Sequence, residues 1–165
     1  MRQLLRFQVG EKRLAVPVER VVEVIPAVAI SAVPSGPPIL EGVIEHRGRI
    51  VPVLETRLRL GLPPRPLHVD DHMIVATVGS LRAALRVDRA LDLVTVDDEA
   101  IEAAADTVPQ AELVAGLVRL PDGVLVIQDL ERFLDAEEAE AVRRAVQTNS
   151  RLTGAATAVS EAGGS

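Results

Sequence analysis

The chain has 165 residues, of which 48% are hydrophobic, and its 18 basic and 24 acidic side chains give a formal charge of −6. This is the composition of an ordinary globular protein, but the acidic balance and the absence of Trp and Tyr exclude the basic, aromatic surface of a nucleic-acid-binding protein. Without cysteine, disulfides, thiol catalysis and cysteine-bound zinc are also excluded.

The first predicted element is a β-hairpin. Residues 4–18 alternate between apolar and polar side chains around Gly10-Glu11, which is the period of a half-buried strand. The next segment, PVERVVEVIP, has apolar residues at helical spacing and predicts one or two helical turns that end at Pro26. Residues 26–38 contain four prolines and predict a loop.

A second hairpin is predicted over GVIEHRGRIVPVLE, residues 42–55. Two runs rich in β-branched residues flank Arg47-Gly48, which fits a two-residue loop in which Gly48 supplies a positive φ. A two-residue turn explains why residue 48 is glycine, but it explains only in part why residue 47 is arginine. Three prolines in residues 61–68, GLPPRPLH, then predict a linker.

After the linker the pattern repeats. Residues 9–30 can be laid on 78–101, with a shift of 69 at Gly10 over Gly79 and at Val18 over Val87, and residues 42–55 on 116–129 with a shift of 74. Asp122-Gly123 is predicted as the second turn, in place of Arg47-Gly48. One long-period repeat predicts two duplicated β units, each too small to bury a core alone, which pack together and leave a groove. Helical spacing over residues 130–146 predicts a C-terminal helix, and the small, polar residues 147–165 predict a disordered tail.

No segment of the chain predicts an enzyme. The sequence has neither a phosphate-binding loop nor a nucleophile elbow, and its adjacent acidic residues are typical of a solvated surface. His68 and His72 in HVDDH have the spacing of metal ligands on a helix, but the flanking linker and strand favour a polar loop. We therefore expect no cofactor and no metal.

The termini and apolar runs predict a cytoplasmic protein without direct membrane insertion. MRQLLRFQVGEKR lacks the apolar core of a signal peptide. No run approaches the ~20 apolar residues that a membrane span requires.

Segment 42–61, GVIEHRGRIVPVLETRLRLG, resembles the signature of the CheW family of chemotaxis coupling proteins: a Gly-Val pair, an Asn-Leu-Arg-Gly turn, and an apolar strand that contains Pro and ends in Asp-Leu-Arg. Gly42-Val43, Arg47-Gly48, Val51-Pro52 and Arg57 match this signature. PVERVVEVI, LRVDRALDLVTV and AGLVRLPDGVLVIQDLERFLDAEE resemble further family segments in the same order. The resemblance covers about residues 4–140.

The resemblance implies a mostly β fold of two SH3-like five-stranded barrels packed side by side, with short helical turns and a C-terminal helix. It implies one domain over residues 1–146, in which strands are exchanged: about 19–67 with a strand from the second half, and about 73–130 with the first hairpin. It also implies a non-catalytic scaffold that couples the cytoplasmic tip of a chemoreceptor to the regulatory domain of a CheA-type histidine kinase. Such a protein is expected in the cytoplasm, recruited to receptor arrays at the membrane.

The resemblance implies site residues on both sides of this coupling. Val21, Glu23, Gly42 and Arg47 match positions of the receptor side, and Ile50 and Val51 match the kinase-facing strand. We expect Arg47 to form a bidentate ion pair with Glu23 of the preceding helical turn.

Two departures keep alternatives open. Glu45-His46 replaces Asn-Leu before Arg-Gly, and Glu55-Thr56 replaces Asp-Leu, which changes the charge at the turn expected to meet partners. The alternatives are a divergent paralogue that serves pilus or gliding motility, and an unrelated small β-barrel that binds peptides.

Overall fold

The computed structural model describes residues 1–104 and 111–148. The described residues are mostly strand, and the strands are β1 (Arg2–Val9), β2 (Lys12–Pro17), β3 (Val21–Pro26), β4 (Leu40–His46), β5 (Arg49–Leu54), β6 (His72–Val78), β7 (Leu81–Val87), β8 (Arg89–Val96), β9 (Ile101–Glu102), β10 (Val114–Leu120) and β11 (Gly123–Gln128). A short helix, α1 (Thr56–Arg59), follows β5, and a C-terminal helix, α2, covers residues 136–148.

The strands form two sheets, of six and five strands, in the orders β8-β1-β2-β11-β10-β9 and β3-β6-β7-β5-β4. We call them sheet A and sheet B. The prediction of a mostly β fold with two β units and a C-terminal helix is confirmed. Sheet B has the five strands expected, whereas sheet A has a sixth, the two-residue strand β9 at its edge. Hairpin β1–β2 lies in sheet A with strands from the second half, and hairpin β6–β7 lies in sheet B with strands from the first half.

Both exchanged hairpins are buried on two faces, which explains why they are so apolar. In β6, Ile74 and Val78 face a core shared by both sheets, whereas Met73 and Val75 face a smaller core within sheet B. In β1, Phe7 faces the shared core, and Leu4, on the opposite face, packs within sheet A. Each hairpin therefore lies between two cores, and together the hairpins join the halves of the molecule.

Equivalent strands in the two halves are separated by the same number of residues as the repeated sequence segments. Strand β4 begins and ends 74 residues before β10, and β5 begins and ends 74 residues before β11. The parallel strand pair inside each sheet also corresponds, since Val53 pairs with Ala84 in sheet B and Ile127 pairs with Ala15 in sheet A.

The predicted helical turns over PVERVVEVIP are wrong for most of that segment. Only Val18–Arg20 forms a 3-10 turn, and Val21–Pro26 is strand β3, antiparallel to β6. The valines fit a period of two as well as a helical period, and β-branched residues favour the extended backbone. Ladder pairing with β6 decides between the two periods.

The start of the C-terminal helix was also predicted too early. Residues 130–134 form turns, although Leu130 and Phe133 are buried in the shared core, and α2 begins after Asp135. Asp135 and Glu138 form a capping box: the N–H of Glu138 donates to Asp135 Oδ1 at 2.7 Å, and the N–H of Asp135 donates to Glu138 Oε1 at 3.1 Å. This cap sets the helix start, and α2 continues through residues 147 and 148, which were predicted as tail; the rest of that tail lies outside the described residues.

The loop of the last hairpin is Pro121-Asp122, since Leu120 pairs with Gly123. The predicted loop Asp122-Gly123 is thus displaced by one residue. Pro121 fixes a negative φ, which excludes the type of turn that Arg47-Gly48 forms. In the described ranges, no helix is long and apolar enough to cross a membrane.

Candidate functional site

The turn between β4 and β5 holds its arginine in a strained conformation. Arg47 has a φ of +51° and Gly48 a φ of +78°, as a type I′ hairpin turn requires. Among the described residues, Arg47 is the only non-glycine with a positive φ. A glycine or asparagine would relieve this strain, so the arginine side chain points to a role beyond closing the turn.

Glu23 of β3 binds this turn through a single oxygen. Its Oε2 lies 2.6 Å from Nε2 of His46 and accepts a hydrogen bond from Nε of Arg47 at 3.1 Å. The predicted Arg47–Glu23 pair is present, but Arg47 contributes only Nε, so the pair is not bidentate. Glu23 belongs to a strand, where a helical turn was expected.

The three side chains differ in exposure. The side chain of His46 is 7% exposed, that of Glu23 34%, and that of Arg47 74%. The hydrogen bond with His46, followed by the hydrogen bond from Arg47, lowers the pKa of Glu23 below its ordinary value. Arg47 therefore keeps the terminal nitrogens of its guanidinium toward solvent while its Nε is fixed.

Gly42 lies where two backbone segments meet. Ser31 forms an isolated bridge with Val43, with two backbone hydrogen bonds of 2.9 Å. A Cβ at Gly42 would clash with the carbonyl oxygen of Ser31 and lie 2.7 Å from Cγ2 of Ile30. Glycine at this position allows the loop before β4 to close over the strand.

The other predicted site residues lie on both sides of this turn. Val21 is half-buried against the shared core, and Ile50 is half-buried opposite Glu45. Val51 is buried, 1% exposed, in the core of sheet B, so it supports the surface at Ile50 without being part of it.

A buried charge network was missed by sequence reasoning. The guanidinium of Arg86 forms ion pairs with Glu41, Glu55 and Asp71, and the Arg86 side chain is 7% exposed. Burial, together with the neighbouring Glu41 carboxyl, raises the pKa of Glu55 to about 7. The signal for this network was an arginine placed between Leu85 and Val87, at the apolar end of β7.

Asp88, which follows β7, connects this network to the linker at residues 61–68. It accepts hydrogen bonds from Arg57 at 2.8 Å and from the N–H of Gly10 at 2.7 Å, and it pairs with Arg65 at 3.2 Å. Arg65 also binds Asp71. Arg65 of the linker is thus paired with the residue that precedes β6 and with the residue that follows β7.

Exposed apolar side chains mark the outer strands β3 and β8. Val22 and Val24 of β3 are exposed, and so are Leu91 and Leu93 of β8, which occupy the equivalent positions at a shift of 69. Each sheet therefore presents an apolar outer strand, a feature more typical of an interaction surface than of a solvated edge.

The histidines of HVDDH make backbone contacts. Nδ1 of His68 accepts from the N–H of Asp70 at 3.1 Å, and Nδ1 of His72 accepts from the N–H of Ala90 at 3.0 Å. Within the described ranges, no group of three or more His, Asp or Glu side chains is placed to hold a metal ion.

The chain is similar to known proteins over most of its length. The family profile of the CheW-like domain matches residues 3–138. A probable chemotaxis protein CheW of Rhizobium etli is 28% identical over 142 residues, which cover 85% of this chain and 92% of that protein. Protein FrzA of Myxococcus xanthus is 34% identical over 87 residues, covering 53% of this chain and 54% of FrzA.

A solved structure shows the same fold. The crystal structure of the scaffolding protein TtCheW from Thermoanaerobacter tengcongensis matches with a TM-score of 0.76 and 25% sequence identity, covering 83% of this chain and 90% of that one.

Proposed function

The chain belongs to the CheW-like family, and from this premise we propose that it is a scaffold without catalytic activity that couples chemoreceptors to a CheA-type histidine kinase. The observation that carries the proposal is the strained Arg47, held by Glu23 at the turn that bears the family signature. Binding at such a surface transmits a signal through complementary contacts and requires no chemistry.

The receptor side of the proposal comprises Val21, Glu23, Gly42 and Arg47. Glu23 and Arg47 are in direct contact, and Val21 lies two residues before Glu23 in β3. Gly42 supports the same surface because it lets the loop at Ser31 pack on β4. The exposed valines of β3 add apolar area that a receptor helix can cover.

The kinase side comprises Ile50 and Val51 of β5. Ile50 is accessible, and the buried Val51 fixes the strand beneath it. A half-buried apolar residue on a rigid strand is a suitable anchor for a protein interface. Arg47 and Ile50 then belong to one hairpin, β4–β5, so that both partners contact the same element.

The proposal includes a location and a domain boundary. The protein would act in the cytoplasm, recruited to membrane-associated receptor arrays through its partners, without inserting into the membrane and without binding nucleic acid. Residues 1–146 would form one domain of two exchanged halves. Of these, 19–67 would be completed by hairpin β6–β7, in place of the single strand expected, and the later strands by hairpin β1–β2.

A divergent paralogue with another output, such as pilus or gliding motility, is the second candidate. His46, which replaces the leucine of the family signature, binds Glu23 directly. The turn that is proposed to meet the receptor thus differs in charge and in hydrogen bonding from the usual family turn, which favours a receptor with a matching change.

The test is a calorimetric titration with the regulatory domain of a CheA-type kinase from the same organism. Wild type should bind with micromolar affinity, and Ile50→Asp should abolish binding. Val124→Asp is the matched control, because Val124 occupies the position equivalent to Ile50 in the second half and is exposed. No binding of wild type to any such kinase would contradict the coupling proposal, and equal loss in both variants would contradict the assignment to β5.

A further inference from the structure

Strands β5 and β7 diverge and leave a groove at one end of sheet B. They pair only through Val53 with Ala84 and Leu54 with Leu85. Pro52 has no N–H to donate, so the ladder stops there. The last described turn of α2 closes the side of the groove with Val146 and Gln147, and the groove has a volume of about 440 Å³.

The groove combines an apolar floor with a basic rim. The apolar lining residues are Ile50, Val51, Pro52, Leu81 and Val146, of which Val51 has its side chain buried in the core of sheet B. The rim consists of Arg49, Arg82 and Arg143, and no carboxylate is among the lining residues. Three positive charges at one groove are unusual in a chain whose net charge is −6.

These arginines have few intramolecular partners. In residues 1–104 and 111–148, neither Arg49 nor Arg82 forms an ion pair within 4 Å. Arg143 binds the hydroxyl of Ser80 and lies 3.6 Å from Glu140 of the same helix. A surface that keeps like charges together without neutralising them suits an acidic partner.

The duplication provides an internal comparison. Arg13 occupies the position of Arg82 at a shift of 69, and it forms an ion pair with Asp122 at 3.0 Å. Asp122 occupies the position of Gly48 at a shift of 74, so sheet B lacks the carboxylate that neutralises Arg13 in sheet A. Arg49 in turn takes the position of Gly123, which adds a further charge. The basic rim is therefore specific to sheet B, and it is not a general feature of the fold.

We propose that this groove binds an extended acidic segment of the kinase, which contributes carboxylates to Arg49 and Arg82 and an apolar side chain to the floor at Ile50. This inference rests on the proposed kinase-facing role of β5 and specifies the chemistry of its partner. Because residues 49–51 of β5 form no ladder with β7, an extended segment can add there as a strand. The chain's own residues 149–165 contain one arginine and one glutamate and cannot supply the acidic match.

The experiment compares the double variant Arg49→Gln/Arg82→Gln with the control Arg13→Gln in calorimetric titrations of the full chain with the kinase regulatory domain, at low and high salt. The double variant should bind on the order of tenfold more weakly at low salt, and the difference should shrink as salt screens the rim. Arg13→Gln should bind like wild type, because its charge is neutralised within the molecule.

The outcomes separate this inference from the function it extends. If wild type binds and Ile50→Asp does not, while the double variant keeps the affinity and salt dependence of wild type, the acidic segment is wrong and the coupling function stands. If wild type binds no kinase, both fail. Nuclear Overhauser contacts from Val146 to Leu152 or Val159 in the free protein would place the chain's own tail in the groove and also overturn the inference.

Discussion

His46 and Glu23 are joined across two strands by a contact of 2.6 Å between Nε2 and Oε2, and the same oxygen accepts the Nε–H of Arg47. One carboxylate thereby fixes both residues that precede Gly48. The guanidinium at the tip of the hairpin is held at its base, while the nitrogens at its end face solvent.

Replacing Arg47 with asparagine should separate binding from stability. Asparagine tolerates a positive φ, and an exposed ion pair contributes about 0–1 kcal/mol, so the free energy of unfolding should change by less than about 1 kcal/mol in urea denaturation. The affinity for a receptor-tip fragment, measured by calorimetry, should fall. The control Arg119→Asn removes a similarly exposed pair with Glu102 in the second half and should leave that affinity unchanged. Unchanged binding by Arg47→Asn would refute the role of the arginine.

His46→Leu should raise the pKa of Glu23, because His46 is the largest cause of its lowered value. A lowered pKa means that the stabilisation from this carboxylate is full above its unfolded pKa of 4.5 and is lost as pH falls through the folded pKa. The variant should therefore lose less stability than wild type as pH falls below 4.5. Titration of the Glu23 carboxyl carbon by NMR measures the shift directly, and an identical pKa in both proteins would contradict this account.

Glu55 should make the protein less stable as pH rises. Its folded pKa of about 7 exceeds the ordinary 4.5, so the folded state holds a proton that the unfolded chain has released, and the resulting stability is lost between those two values. The full loss is at most about 3 kcal/mol. Urea denaturation from pH 4.5 to 8 should show this decline in wild type and in the surface control Glu45→Gln. The decline should disappear in Glu55→Gln, and a flat wild-type profile would exclude the raised pKa.

Gly42→Ala should destabilise the fold by about 2–4 kcal/mol, because the new Cβ meets the backbone carbonyl of Ser31, which cannot move without breaking the bridge to Val43. Gly116→Ala is the comparison at the equivalent position. There the nearest atom is Cγ2 of Ile101 at 2.5 Å, a side-chain methyl group, and the nearest backbone oxygen, that of Glu102, is 3.3 Å away, so the cost should be smaller. Thermal denaturation that ranks the two variants in the opposite order would contradict the role assigned to Gly42.

Strands could be predicted from the sequence where the apolar residues fit a period of two and no helical period. The errors arose where apolar residues also have helical spacing. Alternation and turn residues predicted β1, β2, β4 and β5, and the repeat predicted their counterparts. β3 was missed because pairing with a strand about fifty residues later decides its backbone. The start of α2 was missed because Leu130 and Phe133 have helical spacing, although the capping box at Asp135 determines where the helix begins.

At the candidate site, the sequence could predict partners by type but not their geometry. Opposite charges and the turn predicted the Arg47–Glu23 pair. His46 contributed only a titratable charge to the sequence argument, and its contact with Glu23 depends on the register of β3 beside the turn. The ion pairs of Arg86 were invisible because Glu41, Glu55 and Asp71 are separated from it by 15 to 45 residues and meet only once sheet B forms.

The exchange of hairpins has a consequence for how the chain is made. Leu4 pairs with Val94 in sheet A, so β1 cannot pair with β8 until about ninety more residues have been synthesised. Closing such long loops is entropically costly and slows folding. Hairpin β1–β2, Arg2–Pro17, therefore keeps its apolar faces uncovered during synthesis until its partner strands in the second half have been made.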